Sequence, residues 1–230
     1  MLKILVSGGN GRFASELKKI QCNYKFIFRN KKQLNILSIQ SIKNNFKKFK
    51  PNYVLHLAGL SRPMSIHDKQ INKSIDLNII GTANLVKICN LYKKKIIFFS
   101  TSYVYPGKKG KYREADPILP WNNYGWSKLG GESAVQMYKN SLIVRCALTE
   151  YPFKHKKAFS DVKSNFIYHK DFIPILLKII DKRGTINVGG RSQTIFNFAR
   201  KEKKNITKVK SKGKMPKRVD MNLGKLFKIL

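Results

Sequence analysis

The chain has 230 residues and a mass of 26.5 kDa, enough to bury a core without disulfides or structural metals. Its apolar fraction of 42% excludes a disordered polymer. Lys and Arg number 47 against 12 Asp and Glu, a formal charge of +35 that directs attention to anionic partners. Only nine of those cations are Arg, and Lys is spread along the whole chain beside abundant Asn and Ile, which reads as compositional bias more than as a phosphate-reading surface.

The predicted elements alternate. Lys3–Ser7 is a short apolar strand ending at glycines, and Gly11–Ile20 has helical spacing. Lys25–Arg29 is a second strand, Ser38–Lys48 a helix with Ile42 and Phe46 four apart, and Tyr53–His56 a third strand. Asn72–Leu91 reads as one long amphipathic helix, Lys95–Ser100 as a fourth strand, Trp121–Tyr138 as a helix and Leu142–Arg145 as a fifth strand. Strands that are apolar on both faces, alternating with helices, predict an α/β fold with a doubly wound parallel sheet. Beyond Arg145 the pattern loosens: a strand over Asn165–His169, a helix over Asp171–Asp181, a strand over Thr185–Val188, a helix over Thr194–Lys201, then a strongly basic stretch, Lys201–Arg218, expected to be loosely ordered. The expected organisation is a main domain over residues 1–150 and a small C-terminal α/β lobe over 151–230.

No stretch approaches the ~20 apolar residues of a membrane span; the most apolar run, Phe172–Ile180, is broken by Pro174 and Lys178. The apolar run before Gly8-Gly9 is too short for a signal peptide, and Cys22, Cys89 and Cys146 read as reduced, buried thiols, so a cytoplasmic protein is expected. His67, His155 and His169 are isolated and suggest no metal site.

Three segments carry chemistry. Gly8-Gly9-Asn10-Gly11-Arg12-Phe13-Ala14 follows the first strand and opens the first helix, where free N–H groups and the helix dipole suit a pyrophosphate. Gly8 permits the turn, Gly11 lets phosphates approach the backbone, and Ala14 lets the helix lie on the sheet. At the end of the second strand, Arg29 favours the 2′-phosphate of NADP over the bare ribose of NAD, although the general excess of cations is a second reason for a basic residue there. Tyr124 and Lys128 form a Tyr-x-x-x-Lys on a predicted helix, where i and i+4 share a face; a neighbouring cation lowers the pKa of a phenol and readies it for proton transfer. Ser100-Thr101-Ser102-Tyr103-Val104-Tyr105 closes the fourth strand and places hydroxyls where open α/β sheets bind ligands.

Together with His56-Leu57-Ala58-Gly59 after the third strand, Asp76-Leu77-Asn78-Ile79-Ile80-Gly81-Thr82, and Arg113-Glu114-Ala115-Asp116 ahead of Tyr124, these segments resemble the extended short-chain dehydrogenase/reductase superfamily. Within it the chain is most similar to the dTDP-4-dehydrorhamnose reductase group, through Ser100–Tyr105 (with Ser102 where that group has Asp), Leu34-Asn35-Ile36, Gly184–Gly190, Phe196–Ala199 and Met215–Arg218. The stretch between Arg145 and Asn165, which in the family helps bind the nucleotide-sugar, reads as shortened.

The resemblance implies a Rossmann fold and an NAD(P)-dependent oxidoreductase, NADP slightly favoured, reducing a 4-keto nucleotide-sugar in surface polysaccharide biosynthesis. It implies Thr101, Tyr124 and Lys128 as the catalytic set. Gly8, Asn10, Gly11, Arg12, Phe13, Arg29, Ala58, Gly59 and Asn78 become cofactor-side residues, with Tyr124 and Lys128 shared; Asn78 in this family helps position the lysine. Ser102-Tyr103 replaces the acidic pair of the dehydratase branch, which argues against dehydration. The alternatives are an epimerase on the same fold or a non-catalytic cofactor-binding protein, regulatory or RNA-binding. No specific nucleic acid is expected, and a homodimer is left open.

Overall fold

The computed structural model describes residues 1–213 and 215–230. In chain order the elements are β1 (Leu2–Ser7), α1 (Arg12–Leu17), β2 (Tyr24–Arg29), α2 (Ile39–Phe49), β3 (Tyr53–His56), α3 (Ile66–Lys69), α4 (Ile71–Ile75), a π turn (Asp76–Ile80) and α5 (Gly81–Leu91). β4 (Lys95–Thr101), α6 (Asn123–Gln136), β5 (Ser141–Cys146), β6 (Leu148–Thr149), β7 (Lys157–Phe159), β8 (Lys163–Ser164) and β9 (Ile167–Tyr168) follow. The chain continues through α7 (His169–Ile179), β10 (Gly184–Val188), β11 (Gln193–Thr194), α8 (Ile195–Arg200), β12 (Thr207–Val209) and α9 (Gly224–Phe227).

Six strands form one parallel sheet in the order β2-β1-β3-β4-β5-β10. The central strands are apolar on both faces because helices cover both: Ile4, Leu5 and Val6 of β1 and Ile96 and Ile97 of β4 are completely buried. Each such side chain contributes about 1.5–3 kcal/mol relative to exposure. α2 starts where Ser38 Oγ accepts from Ser41 N at 3.1 Å, and it buries Ile42 and Phe46 against the sheet core of Leu5, Val54, Leu85 and Ile143. The chain leaves β1 for β2 on one side and returns to β3 on the other. The order reverses between β1 and β3, and the crevice outside their carboxyl ends is where such sheets bind ligands.

The chain forms two compact units. One comprises residues 1–100, 126–143 and 182–184; the other comprises 101–125, 144–181 and 185–230. The chain therefore passes between units several times, where the sequence suggests one division near residue 150. The second unit has its own core of Phe153, Val162, Tyr168, Ile195, Phe198 and Ile206. Beside it lies a buried polar network. Arg145 donates to the Tyr105 hydroxyl (2.9 Å), which donates to Asn187 Oδ1 (2.9 Å), while Asn187 Nδ2 donates to the Tyr112 carbonyl (2.9 Å).

Three expectations need correction. The helix over 72–91 is interrupted by the π turn at Asp76–Ile80. The strand over 165–169 shrinks to Ile167–Tyr168, because His169 already opens α7. Much of the basic stretch 201–218 is held in place: β12 pairs in parallel with β7, Ile206 is buried, and the Asp161 carboxylate accepts from Ser211 N (2.9 Å) and Oγ (2.9 Å). Lys214 in that stretch lies outside the described residues. Cys89 and Cys146 are buried and Cys22 is half-buried, none of them in a disulfide; burial pushes the Cys89 thiol up and away from reactivity. Among the described residues no helix is long and apolar enough to cross a membrane.

Gly8 marks the tightest backbone approach at the switch point. It has φ +72°, and a Cβ there would lie 2.7 Å from Ala58 N and 2.8 Å from Ala58 Cα. Gly8→Ala is expected to lower stability by about 1–3 kcal/mol through backbone strain and displacement of the loop after β3. Urea unfolding checks this, and a midpoint equal to wild type would refute it.

Candidate active site

In the first unit, the turn after β1 is fixed by backbone hydrogen bonds. Gly11 N donates to Gly8 O (2.8 Å), and Gly9 N donates to Arg29 O at the end of β2 (2.8 Å). α1 then begins at Gly11 with extended geometry, no side-chain cap and no acidic residue in its first turn. Its first N–H groups and positive dipole end are therefore left for an anion. Asn10, Gly11 and Arg12 are exposed, and Arg12 reaches Ser61 Oγ at 3.3 Å. Phe13 turns inward and packs edge-on against Phe99 at 5.1 Å, anchoring the helix start. Arg29 lays its guanidinium over the Phe49 ring at 5.0 Å, and its buried Nε has no hydrogen-bond partner among the described residues.

On the other side of the switch point, Ala58 N donates to Ser7 Oγ at 3.2 Å. Asn78 sits on the π turn, only 1% exposed. Its Oδ1 accepts from Leu60 N (2.7 Å), and its Nδ2 donates to Leu60 O (2.9 Å) and to Ser127 Oγ (2.8 Å). One amide thus pins the loop carrying Ala58 and Gly59, and also the residue preceding Lys128. The Lys128 ammonium lies 4.1 Å from the centroid of the Phe98 ring.

Sequence reasoning placed His56 in a motif but gave it no role. His56 is 2% exposed, with Nδ1 2.8 Å from Ser7 Oγ and Nε2 2.9 Å from Thr82 Oγ1; Thr82 in turn donates to the Asn78 carbonyl (2.8 Å). Burial first, and then the charge of Lys128, hold its pKa down at about 3. Ser7, Thr82 and Ser127 were also missed. The available signal was a polar residue closing an otherwise apolar strand, at Ser7 and again at His56.

In the second unit, Thr101 ends β4 and its hydroxyl accepts from Tyr103 N (3.3 Å), capping a short 3₁₀ turn over Ser102–Val104. α6 starts where Asn122 Oδ1 accepts from Gly125 N (2.8 Å), which fixes the first turn and with it Tyr124. Only glycine fits at 125, since a Cβ would lie 2.5 Å from the Tyr103 carbonyl. Tyr124 packs edge-on against Tyr103 at 6.1 Å. One helix, α6, carries both Tyr124 and Lys128, one turn apart.

Comparison with known proteins decides the family. The family described as the RmlD substrate binding domain matches residues 2–167 of this chain. The chain belongs to that family. A spore coat polysaccharide biosynthesis protein, SpsK of Bacillus subtilis, is 32% identical over 149 residues, covering 63% of this chain and 52% of that protein. The methionine adenosyltransferase 2 subunit beta of Pongo abelii is 28% identical over 142 residues, covering 58% and 42%. The chain thus spans about half the length of the sequence relatives it matches. The crystal structure of a dTDP-4-dehydrorhamnose reductase from Bacillus anthracis, in complex with NADP, superposes with a TM-score of 0.88 at 23% identity, covering 99% of this chain and 91% of that one. That likeness establishes the fold: a Rossmann-like parallel sheet shared with reductases and epimerases.

Proposed function

We propose that this protein is an NAD(P)-dependent oxidoreductase that reduces a 4-keto nucleotide-sugar in the cytoplasm, for surface polysaccharide. Residues 1–150 are its cofactor domain and 151–230 a shortened substrate lobe. The observation that carries the proposal is the uncapped start of α1 at the β1/β3 switch point, in a chain of this family.

The residues present fit a dinucleotide. A pyrophosphate needs N–H donors, room and no competing carboxylate. The first turn of α1 holds no acid, and the atom nearest to a Cβ at Gly11 would be Gly8 O at 3.1 Å, with nothing else within 4 Å. Gly8, Asn10, Gly11, Arg12 and Phe13 would cradle the pyrophosphate, and Ala58 and Gly59 would border the crevice across from them. Arg29, steadied on Phe49, suits a 2′-phosphate, so NADP is favoured over NAD. Such a cofactor supplies hydride chemistry when bound. In this assignment the Thr101 hydroxyl hydrogen-bonds the sugar carbonyl, Tyr124 passes its phenolic proton to that oxygen, and Lys128 favours the phenolate left behind.

Purified protein screened against 4-keto nucleotide-sugars, following NADPH absorbance, tests the activity. Gly11→Asp tests the cofactor site: a carboxylate at the phosphate position is expected to weaken NADPH binding by about tenfold to a hundredfold. Equal affinity in calorimetry would remove the pyrophosphate from this loop. A second reading is favoured by the relative named as a subunit of methionine adenosyltransferase, namely a cofactor-binding subunit without reductase activity. Dinucleotide binding with no turnover of any nucleotide-sugar would select it.

A further inference from the structure

The hydroxyl and amide protons around His56 can be placed by counting donors. Thr82 Oγ1 has one proton and gives it to the Asn78 carbonyl, so towards His56 it can only accept. The imidazole therefore carries its proton on Nε2. Its bare Nδ1 accepts from Ser7 Oγ, whose lone pair receives the Ala58 N–H. Every bond in this chain runs one way: Ala58 N–H to Ser7, Ser7 to His56, His56 to Thr82, Thr82 to Asn78.

The path starts in the loop after β3 and ends on the π turn. From there the Asn78 side chain returns to the same loop through Leu60 and reaches α6 through Ser127. His56 also packs on the Phe98 ring (5.6 Å, 36° between planes), over which the Lys128 ammonium lies at 4.1 Å. Hydrogen bonds and ring packing thus lead from one imidazole to the Ser127–Lys128 pair by separate routes.

We propose that His56, as the neutral Nε2–H tautomer, is the positioning residue that couples the cofactor-side loop Ala58–Leu60 to Asn78 and Lys128. The reasons are physical. A protonated ring would turn the Ser7 bond round, since both nitrogens would then be donors, leaving the Ser7 hydroxyl proton without the acceptor it has in Nδ1, and would set a second positive charge near Lys128 in a buried site. Burial and the Lys128 charge both oppose that protonation, so the tautomer chain is locked at neutral pH. The link to catalysis rests on the assignment of Lys128 as the cation that activates Tyr124; the coupling within the protein does not.

The experiment separates the two. Long-range ¹H–¹⁵N NMR of the histidine rings is expected to report a bare Nδ1 and protonated Nε2 for His56. Thr82→Val, close in shape but without the hydroxyl, is expected to speed amide exchange at Leu60 about tenfold, the effect of weakening one buried hydrogen bond. Thr82→Ser keeps the hydroxyl and is expected to restore protection. In turnover, Thr82→Val is expected to lower kcat about tenfold with the KM for nucleotide-sugar unchanged, and Thr82→Ser to recover it. An Nδ1–H tautomer, or an imidazolium at pH 7, overturns the proposal. So does unchanged Leu60 exchange in Thr82→Val, or Thr82→Ser behaving like Thr82→Val. Wild-type protein without activity on any nucleotide-sugar, but with the expected tautomer and exchange pattern, would sink the functional reading and uphold the coupling.

Discussion

Tyr124→Phe is expected to lower turnover by a factor on the order of 10²–10⁴, the contribution of a positioned acid–base group. The ring remains, so the edge-on contact with Tyr103 and the Asn122 cap at the start of α6 survive, and the fold and NADPH affinity are expected to match wild type. A free phenol, with a pKa of about 10, is a poor proton relay at neutral pH. In the proposed mechanism Lys128, one turn further along α6, is the positive charge that favours the phenolate. Lys128→Met is therefore expected to damage both turnover and cofactor binding, since the same ammonium would hold the nicotinamide ribose. Steady-state kinetics with calorimetry of NADPH binding separates the two variants. Full activity in Tyr124→Phe would remove the phenol from the mechanism.

The main sheet was legible in the sequence for a physical reason. Parallel strands buried on both faces appear as unbroken apolar runs, and β1 through β5 were each found to within a residue or two at either end. The glycine turn was legible because it sits between such a run and a helix start. The rest left a fainter trace. The strands β6, β7, β8, β9, β11 and β12 are two or three residues long, too short for any periodicity. The π turn adds a single residue to a helix, and the apolar positions Ile75, Ile79 and Ile80 read the same with or without it. The segment 201–218 reads as loose from its charge, because charge density is no measure of backbone order. In the structure Lys208 faces outward, while the β12 backbone pairs with β7 and Asp161 holds the turn beyond it.

The candidate site divides the same way. Thr101, Tyr124 and Lys128 stood out by residue type and order, whereas Asn78 came from family resemblance. Nothing in the chain's periodicity marks an amide whose two ends clamp the Leu60 backbone and whose second N–H reaches Ser127. The supporting residues Ser7, Thr82 and Ser127 are small hydroxyls, common in any sequence, and each joins the network through a contact 26 to 51 residues away. A buried histidine at a strand end is the exception. It is rarely satisfied without polar neighbours, so its presence announces a network even when its partners are hidden.

That network has a pH signature. In the unfolded chain His56 titrates near its ordinary value of 6.5; in the folded protein its pKa is about 3. Between those values the unfolded state binds a proton that the native state does not, so stability rises with pH across the window. The contribution is fully present above pH 6.5 and is lost as pH falls toward 3, at about 1.4 kcal/mol per pH unit. From pH 6.5 to 4.5 the loss from this group alone is about 2–3 kcal/mol, and it grows to about 4–5 kcal/mol by pH 3. His67, also buried with a lowered pKa, adds in the same direction. The lowered carboxylates of Asp161 and Asp220 act at lower pH, below the usual carboxylate range. Urea unfolding of wild type and His56→Asn at steps between pH 7.5 and 4.5 isolates the His56 component. His56→Asn is expected to be the less stable protein at pH 7.5, having lost the bond to Thr82, but to show the shallower decline toward pH 4.5. Parallel curves for the two proteins would mean that His56 takes up its proton in the native state as readily as in the unfolded chain, and that the buried chain from Ser7 to Asn78 does not hold the ring neutral below pH 6.5.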